Sequence, residues 1–327
     1  MFCYIQNMGK ICIALANYNG KRYLTEMLDS LMTQTRKADI ILAIDDGSTD
    51  NSSQILKDYQ NRLPLQVFRL EKNSGHRAAF SKALEIAHKQ LDDNDLIALA
   101  DNDDIWLPHK LELLEKAIET SYSDQAKPSL VFGDAQIIDA NGKITAESWR
   151  SFSKIETKFS MERQIAGINN VTGCMSLFRA SLLKKILPIP EGVTVHDRWI
   201  AMIAGKNGGI VAIDTPVIQY RIHGSNAIGG APTPPMSKTL ETQIQWTKTI
   251  LDSAQRLSLT KKEFRFANDL LQLTTARLNR SFIPFQLPWI ARHHQELFLK
   301  DTAIATLKRI LFTAVGLPLA KKIWKKN

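Results

Sequence analysis

Along the first hundred residues, short apolar runs alternate with segments in which apolar residues recur every three or four positions. The runs are Ile11–Ala16, Ile40–Ile44, Leu65–Leu70 and Leu96–Ala100, each of strand length. Between the first two, Leu24, Met27, Leu28 and Leu31 share one helical face, which predicts a buried stripe. Ser48, Thr49 and Asp50 supply N-cap chemistry to a second helix carrying Ile55, Leu56 and Tyr59. Pro108 suits the first turn of a third, carrying Leu111, Leu114 and Ile118. This alternation predicts an α/β layer with a mainly parallel central sheet.

The strict alternation ends near residue 130. Val131–Gly133 predicts another strand, and Ile137–Ile144 carries the Asn141-Gly142 pair of a hairpin turn. Ala231-Pro232-Thr233-Pro234-Pro235 breaks regular structure and reads as a linker. From Met236 the spacing is helical, punctuated by Pro284 and Pro288. The expected division is therefore 1–230 followed by a helical, basic appendage over 231–327, with no internal repeat.

Composition narrows the class. A chain of 327 residues with 44% hydrophobic content can bury a large core and is neither disordered nor fibrous. Cys3, Cys12 and Cys174 are far apart and odd in number, which favours neither a disulfide framework nor a zinc site and suits a reducing compartment. No basic leader with a cleavable apolar segment precedes Ile11, so a cytoplasmic location is expected. Ala303–Ala320 is split by Lys308 and Arg309 and falls short of the roughly 20 apolar residues that span a bilayer.

The formal charge of +9 gathers late in the chain. From Lys300 onward, seven basic residues (Lys300, Lys308, Arg309, Lys321, Lys322, Lys325, Lys326) face one acid, Asp301, and interleave with Ile310, Leu311, Phe312, Leu317, Leu319, Ile323 and Trp324. Such a tail suits an anionic membrane surface better than a nucleic-acid groove. A solvated terminal helix packed on its own domain is the competing reading.

Candidate chemistry sits at the strand ends: Asn17-Tyr18-Asn19, Asp45-Asp46-Gly47-Ser48 and Asp101-Asn102-Asp103-Asp104. In a parallel sheet these ends converge on one crevice. The run Leu96–Ala100 delivers three carboxylates within four positions, a charge group that needs a partner such as a hard cation. No G-x-G-x-x-G or Walker lysine loop is present, so backbone N–H groups are not the main phosphate cradle. Asp101 and Asp103, two apart, can share Mg²⁺ or Mn²⁺ with phosphate oxygens. A solvated acidic loop has the same D-x-D pattern.

The order Ala16-Asn17-Tyr18-Asn19, Asp45-Asp46-Gly47-Ser48-Thr49-Asp50, Asn73-Ser74-Gly75, then Asp101-Asn102-Asp103-Asp104-Ile105-Trp106 resembles the nucleotide-sugar half of inverting family 2 glycosyltransferases with the GT-A fold. The resemblance continues through Asn170–Met175, His196-Asp197-Arg198-Trp199 and Tyr220–Asn226, and looks most like the rhamnosyltransferase-type branch of bacterial surface-polysaccharide synthesis. It implies a nucleotide-sugar half over 10–105 and an acceptor half over 106–230. It further implies that Ala16 and Tyr18 line the nucleotide pocket, that Asp45 or Asp46 bonds the base, and that Asp101, Asn102 and Asp103 hold ribose and metal diphosphate. The family commonly has Thr or Ser where Ala16 stands, so one donor contact is missing.

By the same resemblance Asp197 is the general base and His223 a candidate third metal ligand, for which a surface or hydrogen-bonded loop histidine is the plainer alternative. Asp197 opens an apolar helical run (Trp199, Ile200, Met202, Ile203), where the helix start and Arg198 are expected to keep it ionised. An N-cap aspartate is the plainer alternative. Arg221, His76 and Arg77 are candidates for offsetting phosphate charge, and Cys174 for apolar packing near the acceptor. The implied partners are a dTDP- or UDP-sugar donor and a saccharide or lipid-linked saccharide acceptor at the inner membrane face, without nucleic acid. Two other readings compete: a nucleotidyltransferase, for which Asn17–Arg22 is a poor phosphate loop, and a noncatalytic sugar- or membrane-binding protein retaining the fold. Retention of Asp45, Asp46, Asp101, Asp103 and Asp197 together favours the enzyme.

Overall fold

The computed structural model describes residues 9–122, 127–224, 234–280 and 282–324. Its first half builds β1 (Ile11–Asn17), α1 (Leu24–Met32), β2 (Ile40–Asp45), α2 (Ser52–Tyr59), β3 (Leu65–Arg69), α3 (His76–Gln90) and β4 (Leu96–Ala100). There follow β5 (Ile105–Trp106), α4 (Lys110–Thr120), β6 (Leu130–Ile138), β7 (Ile144–Ala146), α5 (Trp149–Ser153), α6 (Met161–Ala166), β8 (Ser176–Arg179), α7 (Leu183–Ile186), α8 (His196–Lys206) and β9 (Ile210–Arg221). The strands join in the order β3-β2-β1-β4-β8-β6-β9-β5, with β7 beside β6.

β1 is parallel to both β2 and β4, and β2 to β3. β8 runs antiparallel to β4 and β6, whereas β6 and β9 are parallel. The carboxyl ends of β1, β2 and β4 therefore lie along one edge. This is the crevice where strand order reverses between β1 and its two neighbours. Continuous apolar runs are what a strand covered on both faces requires, and Leu96–Ala100 is at most 2% exposed. The α1 stripe Leu24, Met27, Leu28 and Leu31 and the α4 residues Leu111, Leu114 and Ile118 join the same core.

Local details differ from the sequence expectation for clear reasons. α2 begins at Ser52, because Asp50 Oδ1 accepts from Ser52 N at 2.9 Å while Thr49 N donates to Asn19 Oδ1 at 2.8 Å. α4 begins at Lys110, two residues beyond Pro108. The Asn141-Gly142 hairpin forms, with Gly142 at φ +84° and Asp139 Oδ1 accepting from Asn141 N and Lys143 N. β5, β8 and β9 had no clear signal. Two are shorter than five residues, and β9 is interrupted by Asp214-Thr215-Pro216.

β6 is longer than Val131–Gly133 and carries an irregularity, with register shifts against β9 between Phe132 and Ala135. Gly133 lies at that irregularity.

The chain divides into two compact units: Met1–Ser153 with Val171–Ile189 and Val195–Gly230, and Lys154–Asn170 with Pro190–Thr194 and Ala231–Asn327. The second unit is helical, built on α9 (Met236–Asp252) and α10 (Lys261–Asn279) with α6. Trp246 Nε1 donates to the carbonyls of Gln164 and Ile165, and a Thr260–Glu263 capping box starts α10. The expected Ala231–Pro235 linker lies largely outside the described residues. No helix among the described residues is long and apolar enough to cross a membrane.

A Cβ added at Gly133 would lie 2.6 Å from both Val217 methyl carbons, and valine has little rotamer freedom with which to yield. Gly133→Ala is expected to cost about 1–3 kcal/mol. Urea unfolding should show this as a lower midpoint at an unchanged m-value. An unchanged midpoint would mean that the irregularity absorbs the methyl group.

Candidate active site

Every expected site residue among those described lies in the first unit. At the ends of β1 and β2 the polar residues first satisfy one another. Asp45 is fully buried, and its carboxylate accepts from Asn17 Nδ2, Ser48 N, Ser53 Oγ and Arg69 Nη1. Asp46, 2% exposed, accepts from Ser74 N at 2.8 Å and Gly75 N at 2.7 Å. It thereby fixes the turn that leads into α3. Asn102 Nδ2 donates to Asn17 Oδ1 at 2.9 Å and ties the end of β4 to the end of β1. Gly20 is required beneath this bond, since a Cβ there would overlap both side-chain amides. Ala16 is half-buried at the β1 end, and Tyr18 beyond it is 44% exposed.

The acidic loop has an inner and an outer side. Inside, Asp104 is fully buried, and its Oδ1 accepts from Arg221 N at 3.0 Å. Arg221, 1% exposed, donates from Nε to Asp103 O and from Nη2 to Glu26 Oε2, and its guanidinium lies 4.5 Å from the Tyr23 ring centroid. Its role is thus to anchor the loop, a correction to its expected part in offsetting diphosphate charge. Lys110, also fully buried, donates to Cys174 O at 2.6 Å and sits 3.1 Å over the Trp106 ring. Burial pushes its ammonium down to about 7, against the pull of Asp104 and Asp101.

On the outer side, Asp103 Oδ2 lies 3.0 Å from His223 Nε2, although 120 residues separate them. Burial, with Asp103 and Asp197 adding like charge, pushes the Asp101 carboxyl up to about 7. Burial, with Asp103 and Asp101 adding like charge, also raises the Asp104 carboxyl well above its ordinary value. The Asp101, Asp104 and Cys174 side chains also come within 4.8 Å of one another. Cys174 is a poor ligand for a hard cation, because burial holds its thiol protonated. Asp103 and His223 supply a carboxylate oxygen and an imidazole nitrogen, a donor chemistry that fits Mg²⁺ or Mn²⁺, whereas the Asp101 carboxylate gathers with Asp104 and Cys174 and not with both Asp103 and His223.

Asp197 lies in the first turn of α8, and its Oδ2 accepts from Gly173 N at 3.0 Å. Asp197 and Asp101 are close enough for their charges to interact. Burial raises the Asp197 carboxyl despite opposing contributions from Gly173 N and Arg198, so the expected ionising effect of helix start and arginine is outweighed. His196 is stacked 4.0 Å from Phe80, 22° from parallel, and 5.7 Å from His76, at the start of α3. Burial pushes His196 down to about 3, so it stays neutral.

Some residues about the site were not expected from the sequence. Lys110 bonds the Gly173–Cys174 turn and lies within electrostatic reach of Asp101 and Asp104. Its signal was a charged residue on the apolar face shared by Leu114 and Ala117. Tyr220, whose hydroxyl is pushed up by burial, Cys174 and the acids Asp104, Asp101 and Asp103, lies 5.1 Å from the Trp149 ring. Trp149 in turn stacks on the exposed Phe152. No periodic pattern marks those aromatic residues.

A parallel α/β sheet bearing a D-x-D loop and a facing histidine at its carboxyl edge defines a GT-A glycosyltransferase fold. Residues 12–187, more than half of the chain, match Glycosyl transferase family 2, and the chain belongs to that family. It is 29% identical to an uncharacterized glycosyltransferase of Nostoc sp. over 228 residues, 66% of each protein. It is 34% identical over 119 residues to the poly(ribitol-phosphate) beta-N-acetylglucosaminyltransferase TarS of Staphylococcus aureus, covering 36% of this chain and 20% of that one. The chain thus spans less than two-thirds of the length of these curated relatives. The TarS structure in complex with UDP-GlcNAc aligns over 93% of this chain and 81% of that one, with TM-score 0.57 and 20% identity. The Pyrobaculum calidifontis mannosyltransferase PcManGT with GDP-Man and Mn²⁺ aligns over 98% of this chain and 89% of its own, with TM-score 0.50 and 16% identity.

The raised Asp101 carboxyl gives a test of cation binding. Its ordinary value is 3.8, so between about pH 4 and 7 the folded state holds a proton that the unfolded chain releases. Metal-free stability from this group is therefore full below pH 4 and declines as pH rises through 7. Above pH 7 a cation no longer competes with that proton. Mn²⁺ is expected to raise the melting temperature more at pH 8 than at pH 5.5, as read by thermal-shift fluorimetry. Equal shifts at both values would remove Asp101 from the ligand set.

Proposed function

We propose that the chain is an inverting, metal-assisted glycosyltransferase, moving a hexosyl or rhamnosyl group from a nucleoside-diphosphate donor to a saccharide or lipid-linked saccharide hydroxyl. The observation that carries this reading is the meeting of Asp103 with His223 at 3.0 Å, in a loop whose Asp101 lies within electrostatic reach of both Asp103 and Asp197. The family membership supports it, as do the relatives, one named a poly(ribitol-phosphate) beta-N-acetylglucosaminyltransferase and seen with UDP-GlcNAc, another a mannosyltransferase seen with GDP-Man. A UDP- or dTDP-sugar is the proposed donor, and a cell-surface polysaccharide the proposed product. In this reading 10–105 binds the donor, 106–230 the acceptor, and 231–327 holds the protein at the inner face of the cytoplasmic membrane.

Ala16 and the exposed ring of Tyr18 border the nucleoside. Asp46, with one partner on each oxygen, keeps acceptor capacity for a base N–H, whereas Asp45 is saturated and shapes the strand end. Asn102 holds the loop at the depth of the ribose. Asp101, Asp103 and His223 would hold Mg²⁺ or Mn²⁺, which when bound neutralises charge on a diphosphate.

Asp197 is steadied by Gly173 N, and burial makes it a stronger base than a solvated aspartate. It takes the proton of the acceptor hydroxyl while that oxygen bonds the anomeric carbon from the face opposite the diphosphate. The anomeric C–O bond breaks, its electron pair leaves with the diphosphate, and configuration inverts.

Donor binding and turnover should be measured with UDP-, dTDP- and GDP-sugars in Mn²⁺ or Mg²⁺. Asp103→Asn is expected to weaken donor binding at least tenfold. Asp197→Asn should bind donor as the parent does and transfer about 10²-fold more slowly or worse. If no donor is bound or turned over with either metal, and Asp103→Asn changes nothing measurable, the reading is wrong.

A further inference from the structure

Exposed apolar side chains are unevenly distributed over the described residues. Of eleven large hydrophobic residues exposed there, six fall between Phe282 and Phe312, in the second unit: Phe282, Phe285, Ile304, Leu307, Leu311 and Phe312. Four of them lie on α13 (Ala303–Thr313; α11 and α12 are the short helices Leu287–Arg292 and His294–Leu297). Their spacing puts all four on one exposed arc of that helix, with Lys308 among them. Thr313 and Ala314 turn inward instead.

The two phenylalanines are held beside the end of this ridge. Phe282 pairs with Val315, Ile283 N donates to Ala314 O at 3.0 Å, and Gly316 comes so close to Arg280 that a Cβ would overlap its carbonyl oxygen. The start of the helix is fixed as well. Thr302 Oγ1 accepts from Ala305 N at 3.2 Å, and Arg309 binds Asp301 at 2.8 Å.

Charge names the occupant of this ridge. From Arg280 onward nine basic residues stand against Glu296 and Asp301, so nine less two gives seven of the chain's formal +9. A second copy of so positive a segment would be repelled, whereas anionic headgroups would be attracted. An 11-residue helix is about 16 Å long, half the roughly 30 Å hydrocarbon core. It is suited to lie along a bilayer, not across it.

We propose that α13 and the adjoining Phe282–Phe285 turn form the surface by which the protein docks on an anionic lipid bilayer. Ile304, Leu307, Leu311, Phe312 and Phe285 enter the boundary between headgroups and acyl chains, and Lys300 and Lys308 meet the lipid phosphates, Lys308 by extending its stem past the apolar ridge. This deepens, and rests on, the membrane location proposed above, but it is independent of the chemistry assigned to Asp103 and Asp197.

The test is cosedimentation of the full chain with phosphatidylcholine vesicles containing 30% phosphatidylglycerol. The parent should bind these vesicles and bind pure phosphatidylcholine at least fivefold more weakly. Leu307→Glu with Leu311→Glu should lower anionic-vesicle binding at least tenfold while leaving melting temperature and hydrolysis of a soluble nucleotide sugar unchanged. Lys300→Glu with Lys308→Glu should also weaken binding and flatten its dependence on salt. No binding by the parent, or equal binding by the Leu307/Leu311 variant, overturns the proposal. So does a parent dimer that the same variant dissolves, which would assign the ridge to a second copy. Loss of sugar hydrolysis in the parent would instead count against the glycosyltransfer reading and leave the vesicle result standing.

Discussion

A buried strand that ends in carboxylates has to dispose of their charge, and the first unit is organised about that requirement. β4 brings Asp101, Asp103 and Asp104 to the sheet edge from a strand with almost no exposed surface. Like charges held together in a poorly solvated place stay ionised only when paired or protonated. The chain supplies pairing on the inner side, through Arg221 N to Asp104 and the buried Lys110 ammonium nearby. On the outer side Asp103 meets the imidazole of His223.

The inner side also connects the two parts of the site. Lys110 bonds the carbonyl of Cys174, and the preceding residue, Gly173, presents its N–H to Asp197. A displacement of α4 would therefore move the Asp197 carboxylate as well as the acidic loop. Gly173 is tightly packed: a Cβ would stand 3.2 Å from Asp197 Cβ and 3.3 Å from Leu99 Cδ1, so one neighbour would have to yield slightly. The turn is thus constrained from both sides.

Much of this was legible in the residues, and the reasons divide by range. The parallel half was readable because each element carries its own periodic signal, and the acids follow strand ends within one or two positions. The antiparallel half was not, because β5, β8 and the interrupted β9 depend on partners far along the chain for their definition. Asp45 and Asp46 looked equivalent as neighbours. Only the position of Arg69 and of the Ser74–Gly75 turn separates a saturated anchor from a carboxylate with spare capacity. The sequence placed Arg221 near the diphosphate because it is cationic and lies beside His223, whereas its bond to Glu26 spans 195 positions and leaves no local trace.

That last bond also bears on the order in which the protein is made. Synthesis delivers β1 to β4 and the whole acidic loop early, yet Asp104 gains its backbone donor and Asp103 its histidine only when residues 221–223 emerge. Until then the nascent chain has a nearly complete parallel layer whose Asp104 carboxylate lacks its backbone donor. β5 meanwhile has no β9 to pair with. The crevice is therefore complete only once the end of β9 has been added to the sheet.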